Sequence, residues 1–367
     1  MSSNLCLGNR ADLEVLHSKL GGDSPLHKRH FGRKGSDSDM SNAKRVVILA
    51  AENCVLSSIA SPMDMFLQAG VLWNVAMGER PTPLFEVEIV TADGKPVTAI
   101  NQFPVVPSRA MHDVDVPDLV IVPSQGFFFD PNARDHQDRV DWLIDTHKNG
   151  ADLASVCAGA FTLASTGLLN GKTATTHWSM ANQFKKQFPE VDLRTDLLVT
   201  DEEHLFCGGG ISAELNLSLY LIEKYVGREV ALQSARCTLV DLDCITQSPF
   251  AVFTPEKNHS DKLILDAQEH IDRHFQNDVD VEAIADHSGL SVRQFNRRFK
   301  AATGETFIGY LQLVRIEAAK ADLINTSHPF EEISIKSGYE NISFFRRLFK
   351  KNTSITPAEY RRRFGNR

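Results

Sequence analysis

The sequence lacks paired cysteines, a long apolar run and a secretory leader. Its six cysteines are scattered and none belongs to a CxxC pair, so neither a disulfide framework nor a zinc site is expected. No apolar stretch approaches the roughly 18 residues that a membrane span needs. The first residues, MSSNLCLGNRADLEVL, have no basic start followed by an apolar core. These absences predict a cytoplasmic protein that binds neither a metal nor a membrane.

Acidic and basic residues are divided unequally along the 367 residues, a length that suggests two or three domains. The chain has a net charge of −8, yet residues 288–367 hold 15 Lys and Arg against 7 Asp and Glu. That segment therefore carries +8, and the rest of the chain carries −16. Only the C-terminal part has the sign that suits a polyanionic partner.

Patterning divides the chain into four segments. Residues 1–43 are rich in Ser, Gly and charge, which predicts a disordered leader. Across residues 44–227, strands such as KRVVILAA and DLVIVPS alternate with helical patterns, which predicts a doubly wound α/β domain whose last strands lie in KTATTHW and HLFCGGG. Residues 228–259 lose periodicity and contain two prolines, which predicts a linker. Residues 260–367 are predicted to be wholly helical.

The helical segment contains an internal repeat. VEAIADHSG at 281–289 aligns with FEEISIKSG at 330–338, and VRQFNRRFK at 292–300 aligns with ISFFRRLFK at 342–350. Each copy consists of a short helix, a Ser-Gly turn and a second helix, which is the layout of a helix-turn-helix motif.

The second helix of each copy is amphipathic. Phe295 and Phe299 share one face, as do Phe345 and Phe349, and these faces are predicted to pack inward. The opposite faces are basic, which suits a DNA major groove, where Arg contacts guanine and Lys contacts phosphate. An ordinary solvated basic face is the alternative. The predicted DNA-binding residues are Ser291, Arg293, Gln294, Arg297, Lys300, Ser343, Arg346, Arg347 and Lys350.

The C-terminal segment resembles the DNA-binding domain of AraC/XylS-type transcription regulators. The resemblance rests on the paired motifs, the connecting helix TFIGYLQLVRIEAAKADL and the closing SITPAEYRRRF. It implies two recognition helices in successive major grooves on one side of the duplex, about 34 Å apart. A connecting helix of about 16–19 residues, at about 1.5 Å each, gives a rigid spacer of roughly 24–28 Å, which is compatible once the turns are added.

A second candidate site lies in LASVCAGAFTLASTGLL, at 153–169. A β-prone run leads to Cys157, small residues follow, and a helical pattern then begins, as where α/β enzymes expose a nucleophile. The helix N-terminus is predicted to lower the pKa of the thiol. His177, in TTHW, is a candidate base if it lies within hydrogen-bond reach. A small buried side chain without chemistry is the alternative for Cys157.

Residues 44–227 resemble the DJ-1/PfpI superfamily, with its flavodoxin-like fold, through RVVILA, PDLVIVPS and ASVCAGAFTLASTGLLNGKTATTHW. The resemblance implies an elbow Cys and a His, matched here, and an acid from the first helix. SIASPMD has Ser instead of that acid, and VPSQG has Gln where relatives have a second Gly. The departures predict a non-catalytic pocket whose amide donors suit a carboxylate or similar small ligand. Its predicted residues are Ser58, Asp64, Gln125, Cys157, Ala158 and His177.

A DJ-1/PfpI-like domain followed by an AraC-type domain is the arrangement of the GlxA-like regulators. The resemblance implies a homodimeric regulator that binds promoter DNA and a small polar or amine-containing metabolite, and that activates transcription with RNA polymerase. No cofactor is expected, since the glycines at 208–210 lack the GxGxxG spacing. Two alternatives remain: a cysteine-dependent hydrolase or lyase with a DNA-binding tail, and a constitutive DNA-binding dimer.

Overall fold

The computed structural model describes residues 43–210, 212–242 and 245–366. The predicted leader, apart from its last residue, lies outside these ranges. Within them, no helix combines the length and apolarity that crossing a bilayer requires. The same ranges contain no group of three or more His, Cys, Asp or Glu side chains placed to hold a metal ion.

A seven-stranded sheet forms the centre of the first domain. The strands of the chain are β1 (Lys44–Leu49), β2 (Phe85–Thr91), β3 (Val97–Thr98), β4 (Pro104–Val105), β5 (Arg109–Ala110), β6 (Leu119–Val122), β7 (Asp152–Val156), β8 (Thr173–Ala174), β9 (Asp192–Leu193), β10 (Val199–Glu202) and β11 (Leu205–Gly208). The sheet order is β10-β11-β7-β6-β1-β2-β5. All neighbours in it are parallel except β10 and β11.

Helices cover both faces of this sheet. They are α1 (Ser57–Gln68), α2 (Leu72–Ala76), α3 (His136–Lys148), α4 (Gly159–Ser165), α5 (Ala181–Gln187), α6 (Ala213–Val226) and α7 (Arg228–Thr238). Along β1, Val46 and Ile48 pack with α1, α6 and α7, whereas Val47 and Leu49 pack with α3, α4 and α5. Burial on both faces explains why this strand is a continuous apolar run. The predicted flavodoxin-like α/β fold is confirmed.

One predicted strand does not belong to the main sheet. KTATTHW contributes only β8, which pairs with β9 in a separate two-stranded sheet, and the last pair of the main sheet is β10 and β11. The hydroxyls of Thr175 and Thr176 donate hydrogen bonds to the carbonyls of Leu197 and Cys157. The β-branched residues that suggested a strand therefore tie a loop to its neighbours.

The first part of the predicted linker is a helix. α7 packs on α6, with Ala231 and Ala235 buried one turn apart. The prediction of a linker from residue 228 was wrong because the buried stripe of α7 consists of small residues, which give a weak apolar signal. The helix ends at Thr238, and the next residue, Leu239, takes the left-handed conformation with φ 56°.

The C-terminal domain contains helices and, in the described residues 260–366, no strand. The helices are α8 (Lys262–His274), α9 (Val281–His287), α10 (Val292–Thr303), α11 (Phe307–Asn325), α12 (Phe330–Lys336), α13 (Ile342–Thr353) and α14 (Pro357–Phe364). The predicted all-helical region with two helix-turn-helix motifs is confirmed.

Two aromatic cores hold this domain together, one for each motif. Phe295 and Phe299 pack against Phe307 and Tyr310 in the first core, with ring centroids 5.5–5.8 Å apart. Phe330, Phe345, Phe349 and Tyr360 belong to the second core. The long helix α11 contributes to both, with Leu311 in the first and Leu323 in the second. At about 1.5 Å per residue, its 19 residues form a spacer about 28 Å long between the motifs.

Candidate functional site

Cys157 lies on a tight turn between β7 and α4. Its φ is 53°, in the left-handed region that non-glycine residues rarely occupy. Its backbone N–H donates to the Gly208 carbonyl over 2.8 Å. A Cβ atom at residue 159 would lie 2.2 Å from the Val122 carbonyl oxygen, so the turn requires Gly159. The strand-to-helix elbow inferred from the sequence is therefore present.

Burial determines the pKa of the Cys157 thiol, because only 4% of the residue is exposed. Loss of solvation raises its pKa, and hydrogen bonds from the Ser124 hydroxyl and the Ala158 amide only partly oppose this. The negative charge of Glu214 raises the pKa further. The prediction that the helix N-terminus lowers this pKa was wrong, because desolvation of a thiolate outweighs the effect of the seven-residue α4. The thiol is protonated at neutral pH.

His177 does not form a hydrogen bond with Cys157 among the interactions of the described residues. Its Nδ1 atom lies 2.7 Å from the Ser179 hydroxyl and accepts from the Ser179 amide, which caps a short 3-10 turn. Burial lowers the pKa of the imidazole, so it is neutral at neutral pH. The pair lacks the hydrogen bond through which a base activates a cysteine.

Ser58, in the first turn of α1, and Gln125, after β6, flank Ser124, whose hydroxyl contacts the elbow cysteine. The Ser58 hydroxyl donates to the Val55 carbonyl over 2.6 Å and accepts from the Ser124 amide over 3.0 Å. The Gln125 side chain donates to the Glu52 carbonyl over 3.1 Å. Both side chains are buried and tie the start of α1 to the segment after β6. They bind backbone groups in the positions where the resemblance implies an acid and a glycine.

Asp64 is not part of this group. It is exposed, whereas Ser58, Ile59, Pro62 and Phe66 form the buried face of α1. Residues six apart on a helix are separated by about 240°, so Asp64 and Ser58 cannot share a face. Asp64 therefore lies apart from the buried group around the elbow, and its role in the pocket stays a prediction.

Glu214 was missed by the sequence analysis. It lies in the first turn of α6, is 3% exposed, and has an Oε2 atom without a hydrogen-bond partner among the described residues. Burial raises the pKa of its carboxyl to about 7, against a hydrogen bond with Ser61 that lowers it. The sequence SAELNLSL gives one signal for it, an acid on an otherwise apolar helix face.

Gln247 was also missed, because it lies in the predicted linker. Its side chain is 4% exposed. The Nε2 atom lies 2.9 Å from the Thr176 carbonyl, and the Oε1 atom accepts from the Trp178 amide over 3.1 Å. Gln247 therefore binds the backbone on both sides of His177.

A cavity of about 460 Å³ lies elsewhere on the domain, beside α6 and β10. Asp201, Tyr220 and Arg228 are among its lining residues, and neither Cys157 nor Glu214 is. It is distinct from the group of buried residues at the elbow.

The two helix-turn-helix motifs have matching turns. Gly289 and Gly338 take the left-handed conformation, with φ 65° and 84°, between the two helices of each motif. At residue 338 a Cβ atom would lie 2.9 Å from the Gln276 carbonyl oxygen. Both Ser-Gly turns therefore occur where the repeat predicts them.

The predicted DNA-binding residues all lie on the exposed sides of α10 and α13 or at their starts. Some have partners within the protein. Ser291 and Gln294 form a reciprocal capping box at the start of α10. Arg346 donates to Glu331 over 3.1 Å and lies 5.5 Å above the Phe330 ring. The remaining basic residues of the two faces, Arg293, Arg297, Lys300, Arg347 and Lys350, form no ion pair within the described ranges.

Two further residues change this surface. Phe344, on α13, is 41% exposed and adds an apolar group beside the basic side chains. In the sequence, Phe344 and the buried Phe345 form an aromatic pair, and this pair gives no sign that Phe344 is exposed. Arg298, on α10, pairs with Asp261 and so belongs to the packing of α8 against α10.

Comparison with known proteins matches both halves of the chain. Residues 44–224 match the DJ-1/PfpI family, and residues 284–363 match a helix-turn-helix domain model. The chain is 25% identical to the HTH-type transcriptional regulator GlxA of Rhizobium meliloti over 343 residues, which cover 90% of this chain and 99% of that protein. It is 24% identical to the HTH-type transcriptional regulator CdhR of Pseudomonas aeruginosa over 289 residues, which cover 76% of this chain and 82% of that protein.

An enzyme also appears among the similar proteins. The chain is 30% identical to the isonitrile hydratase of Pseudomonas putida over 174 residues, which cover 47% of this chain and 72% of the enzyme. That similarity is shorter than those to the regulators, which extend through most of both chains. The protein thus belongs to the DJ-1/PfpI family and, with its C-terminal helix-turn-helix domain, to the GlxA-like transcription regulators.

Proposed function

We propose that the protein binds promoter DNA through α10 and α13 and that a small molecule bound in its α/β domain controls this binding. The paired basic faces carry the proposal. Arg293 and Arg297 on α10, and Arg347 and Lys350 on α13, are exposed and form no ion pair within the described ranges. Each face is backed by an aromatic core that fixes its direction. Such side chains are free to contact phosphates and guanine edges.

The state of the elbow supports a binding pocket without catalysis. A cysteine nucleophile acts as the thiolate, whereas burial raises the pKa of the Cys157 thiol. His177 directs its Nδ1 atom to Ser179 instead of Cys157. A protonated thiol without a base retains the shape of an enzyme site and loses its reactivity.

Residues 246–250 support a connection between this pocket and the second motif. Gln247 binds the backbone beside His177, and the hydroxyl of the preceding Thr246 lies 3.4 Å from that of Ser354, at the end of α13. Phe250 packs edge to face on Phe364 of α14, with ring centroids 5.5 Å apart. A ligand that binds one arrangement of these contacts more tightly would shift the affinity for DNA.

Family membership supports the finer parts of the proposal. As a GlxA-like regulator, the protein would act in the cytoplasm as a homodimer and activate transcription through RNA polymerase. The effector would be a small polar metabolite, bound at the group formed by Ser58, Gln125, Cys157, Ala158 and His177.

Substitution of one arginine on each face tests DNA binding. We expect Arg297→Ala and Arg347→Ala each to weaken binding to a promoter duplex by about 1–3 kcal/mol, because each removes a contact to a base. Arg273→Ala is the matched control, since Arg273 is exposed on α8 and paired with Glu269. Fluorescence anisotropy with a duplex selected from bound genomic fragments provides the measurement. Unchanged affinity in both variants would refute the proposed interface.

A further inference from the structure

A buried ion pair lies on α11 between the two aromatic cores. Lys320 is 6% exposed, and its ammonium group lies 2.7 Å from the carboxylate of Glu317, about one turn earlier on the helix. Leu311 belongs to the first core and Leu323 to the second, so the pair lies between them along the spacer. Because burial of both charges costs free energy, the pair is a poor source of stability, and what it holds in place matters more.

The ion pair holds the backbone of residues 250–253, which we name the bridging segment. Lys320 Nζ donates to the Ala251 carbonyl over 2.8 Å, and the Phe253 amide donates to the Glu317 carboxylate over 3.1 Å. Residues 251–253 are irregular and have no strand or helix of their own to satisfy these backbone groups. The two charged side chains therefore fasten the bridging segment to α11.

The two aromatic rings of the bridging segment pack on different motifs. Phe250 packs edge to face on Phe364, beside the second core, with ring centroids 5.5 Å apart. Phe253 packs edge to face on Tyr310, in the first core, with ring centroids 5.2 Å apart. Three residue steps reach at most about 10–11 Å, so the segment has little slack between the motifs. A change in the relative placement of the motifs would have to release one of the rings or the ion pair.

Arg315 of α11 makes a second connection between the regions around the two motifs. Its guanidinium donates to the carbonyls of Phe275 and Asn277, between α8 and α9, and lies 4.8 Å above the ring of Tyr339, between α12 and α13. Residues five apart on a helix are separated by about 140°, so Arg315 and Lys320 act on different sides of α11. Removal of the ion pair therefore leaves this second connection in place.

The bridging segment follows residues that are bound to the α/β domain. The Leu198 amide donates to the Ile245 carbonyl over 3.1 Å, and Leu197 forms an antiparallel bridge with Thr246. Gln247 is buried against the loop that contains His177. Two residues separate Gln247 from the bridging segment, so the α/β domain is joined to the contacts on α11 by a short, packed connection.

We propose that Lys320 and Glu317 are positioning residues for DNA recognition: by fastening the bridging segment to α11, they fix the separation and relative orientation of α10 and α13. This inference rests on the proposed function, because it concerns how the two recognition helices meet one duplex. Two linked contacts reinforce each other only when their geometry allows both to form at once. The ion pair itself does not contact DNA.

Lys320→Met in the full chain tests this role with three duplexes. The first is a promoter site selected from bound genomic fragments. The second has one base pair inserted between the two contacted grooves, which turns one contact relative to the other by about 34° and moves it by about 3.4 Å. The third has one of the two contacted segments replaced by unrelated sequence. Fluorescence anisotropy at low ionic strength measures the affinity for each duplex.

Loss of positioning should change the relative affinities for the three duplexes. We expect the unsubstituted protein to bind the first duplex about tenfold more tightly than the second, because its recognition helices are held at one separation. Lys320→Met should bind the first duplex about tenfold more weakly than the unsubstituted protein, and the third within about twofold of it. Insertion of the base pair should cost the variant less than about threefold. Lys320→Arg, which keeps the positive charge, should restore the preference for the first duplex.

Two further variants separate positioning from a general loss of stability. Lys148→Met is the matched control, because Lys148 forms an exposed pair with Asp145 in the same i,i+3 arrangement, and it should match the unsubstituted protein on all three duplexes. If Lys320→Met does not fold, Phe250→Ala decides, since its ring is 45% exposed and its loss leaves the ion pair intact. Phe250→Ala must then weaken binding to the first duplex and not to the third.

The outcomes for Lys320 and for the proposed interface are distinct. Equal losses on the first and third duplexes would mean that Lys320 only stabilises the fold, and would overturn its positioning role while promoter binding through Arg297 and Arg347 stands. An undiminished preference of Lys320→Met for the first duplex over the second would overturn it as well. Unchanged promoter affinity in Arg297→Ala and Arg347→Ala would refute the proposed interface, and this inference with it.

Discussion

The two halves of the protein place their ionisable side chains in opposite environments. In the helical half, Arg297 and Arg347 are exposed above aromatic cores. In the α/β half, Cys157 and Glu214 are 4% and 3% exposed, and burial raises the pKa of both. An exposed guanidinium keeps its positive charge across the physiological pH range, whereas a buried acid changes its charge only when a proton leaves or a partner arrives. The helical half therefore has a permanently charged surface, whereas the α/β half has a buried site whose charge depends on pH and on bound partners.

The largest expected effect concerns Glu214, the buried acid of the α/β half. Because folding raises the pKa of Glu214 from 4.5 to about 7, the folded state binds a proton more tightly than the unfolded chain. The resulting stability is fully present below pH 4.5 and is lost as the pH rises to about 7. The loss amounts to about 3 kcal/mol at pH 8. Glu214→Gln removes this dependence, so at pH 8 the variant should be more stable than the unsubstituted protein by that amount.

Tryptophan fluorescence measures this effect in the relevant half. All three tryptophans, Trp73, Trp142 and Trp178, lie in the α/β domain. Urea unfolding at pH 5 and pH 8 gives the free energy of unfolding, and the difference in it between Glu214→Gln and the unsubstituted protein should grow with pH. Glu229→Gln, at an exposed position of α7, should behave like the unsubstituted protein at both pH values. Parallel pH profiles for Glu214→Gln and the unsubstituted protein would contradict the buried-acid description.

The contrast between the halves also explains what could be predicted from the sequence. Amphipathic helices and a repeated Ser-Gly turn are local patterns, so the motifs and the direction of Phe295 and Phe345 follow from residue spacing. The continuous apolar run of β1 and the small residues after Cys157 are equally local. These features identified both folds and the elbow.

Burial of an ionisable group depends on contacts between residues that are distant in the sequence. The sequence analysis therefore did not predict the buried polar and ionisable groups of the α/β domain. The pKa of Cys157 depends on packing around β7 and on Glu214, which lies 57 residues away. Asp64 was included because it lies near the first-helix motif, whereas nothing close to Glu214 in the sequence indicated a site. Gln247 looked like part of a linker, since nothing nearby in sequence indicates that its amide reaches Thr176.

The next effect in size tests whether residues 246–250 are part of the α/β domain. Gln247→Ala removes contacts to the Thr176 carbonyl and the Trp178 amide, leaving buried polar groups unpaired. We expect it to lower the free energy of unfolding by about 2 kcal/mol. Gln137→Ala, on the exposed side of α3, is the matched control and should change it by less than about 0.5 kcal/mol. Equal behaviour of the two variants would indicate a passive linker.

The smallest effect distinguishes two neighbouring arginines on the permanently charged surface. Arg346 is held by Glu331 and the Phe330 ring, whereas Arg347 forms no ion pair within the described ranges. Because Arg346 must leave its partners to reach DNA, we expect Arg346→Ala to cost about 0.5 kcal/mol of promoter affinity. Arg347→Ala should cost several times more. Anisotropy titrations at several salt concentrations measure both losses, and equal losses would mean that Arg346 abandons Glu331 when α13 meets the duplex.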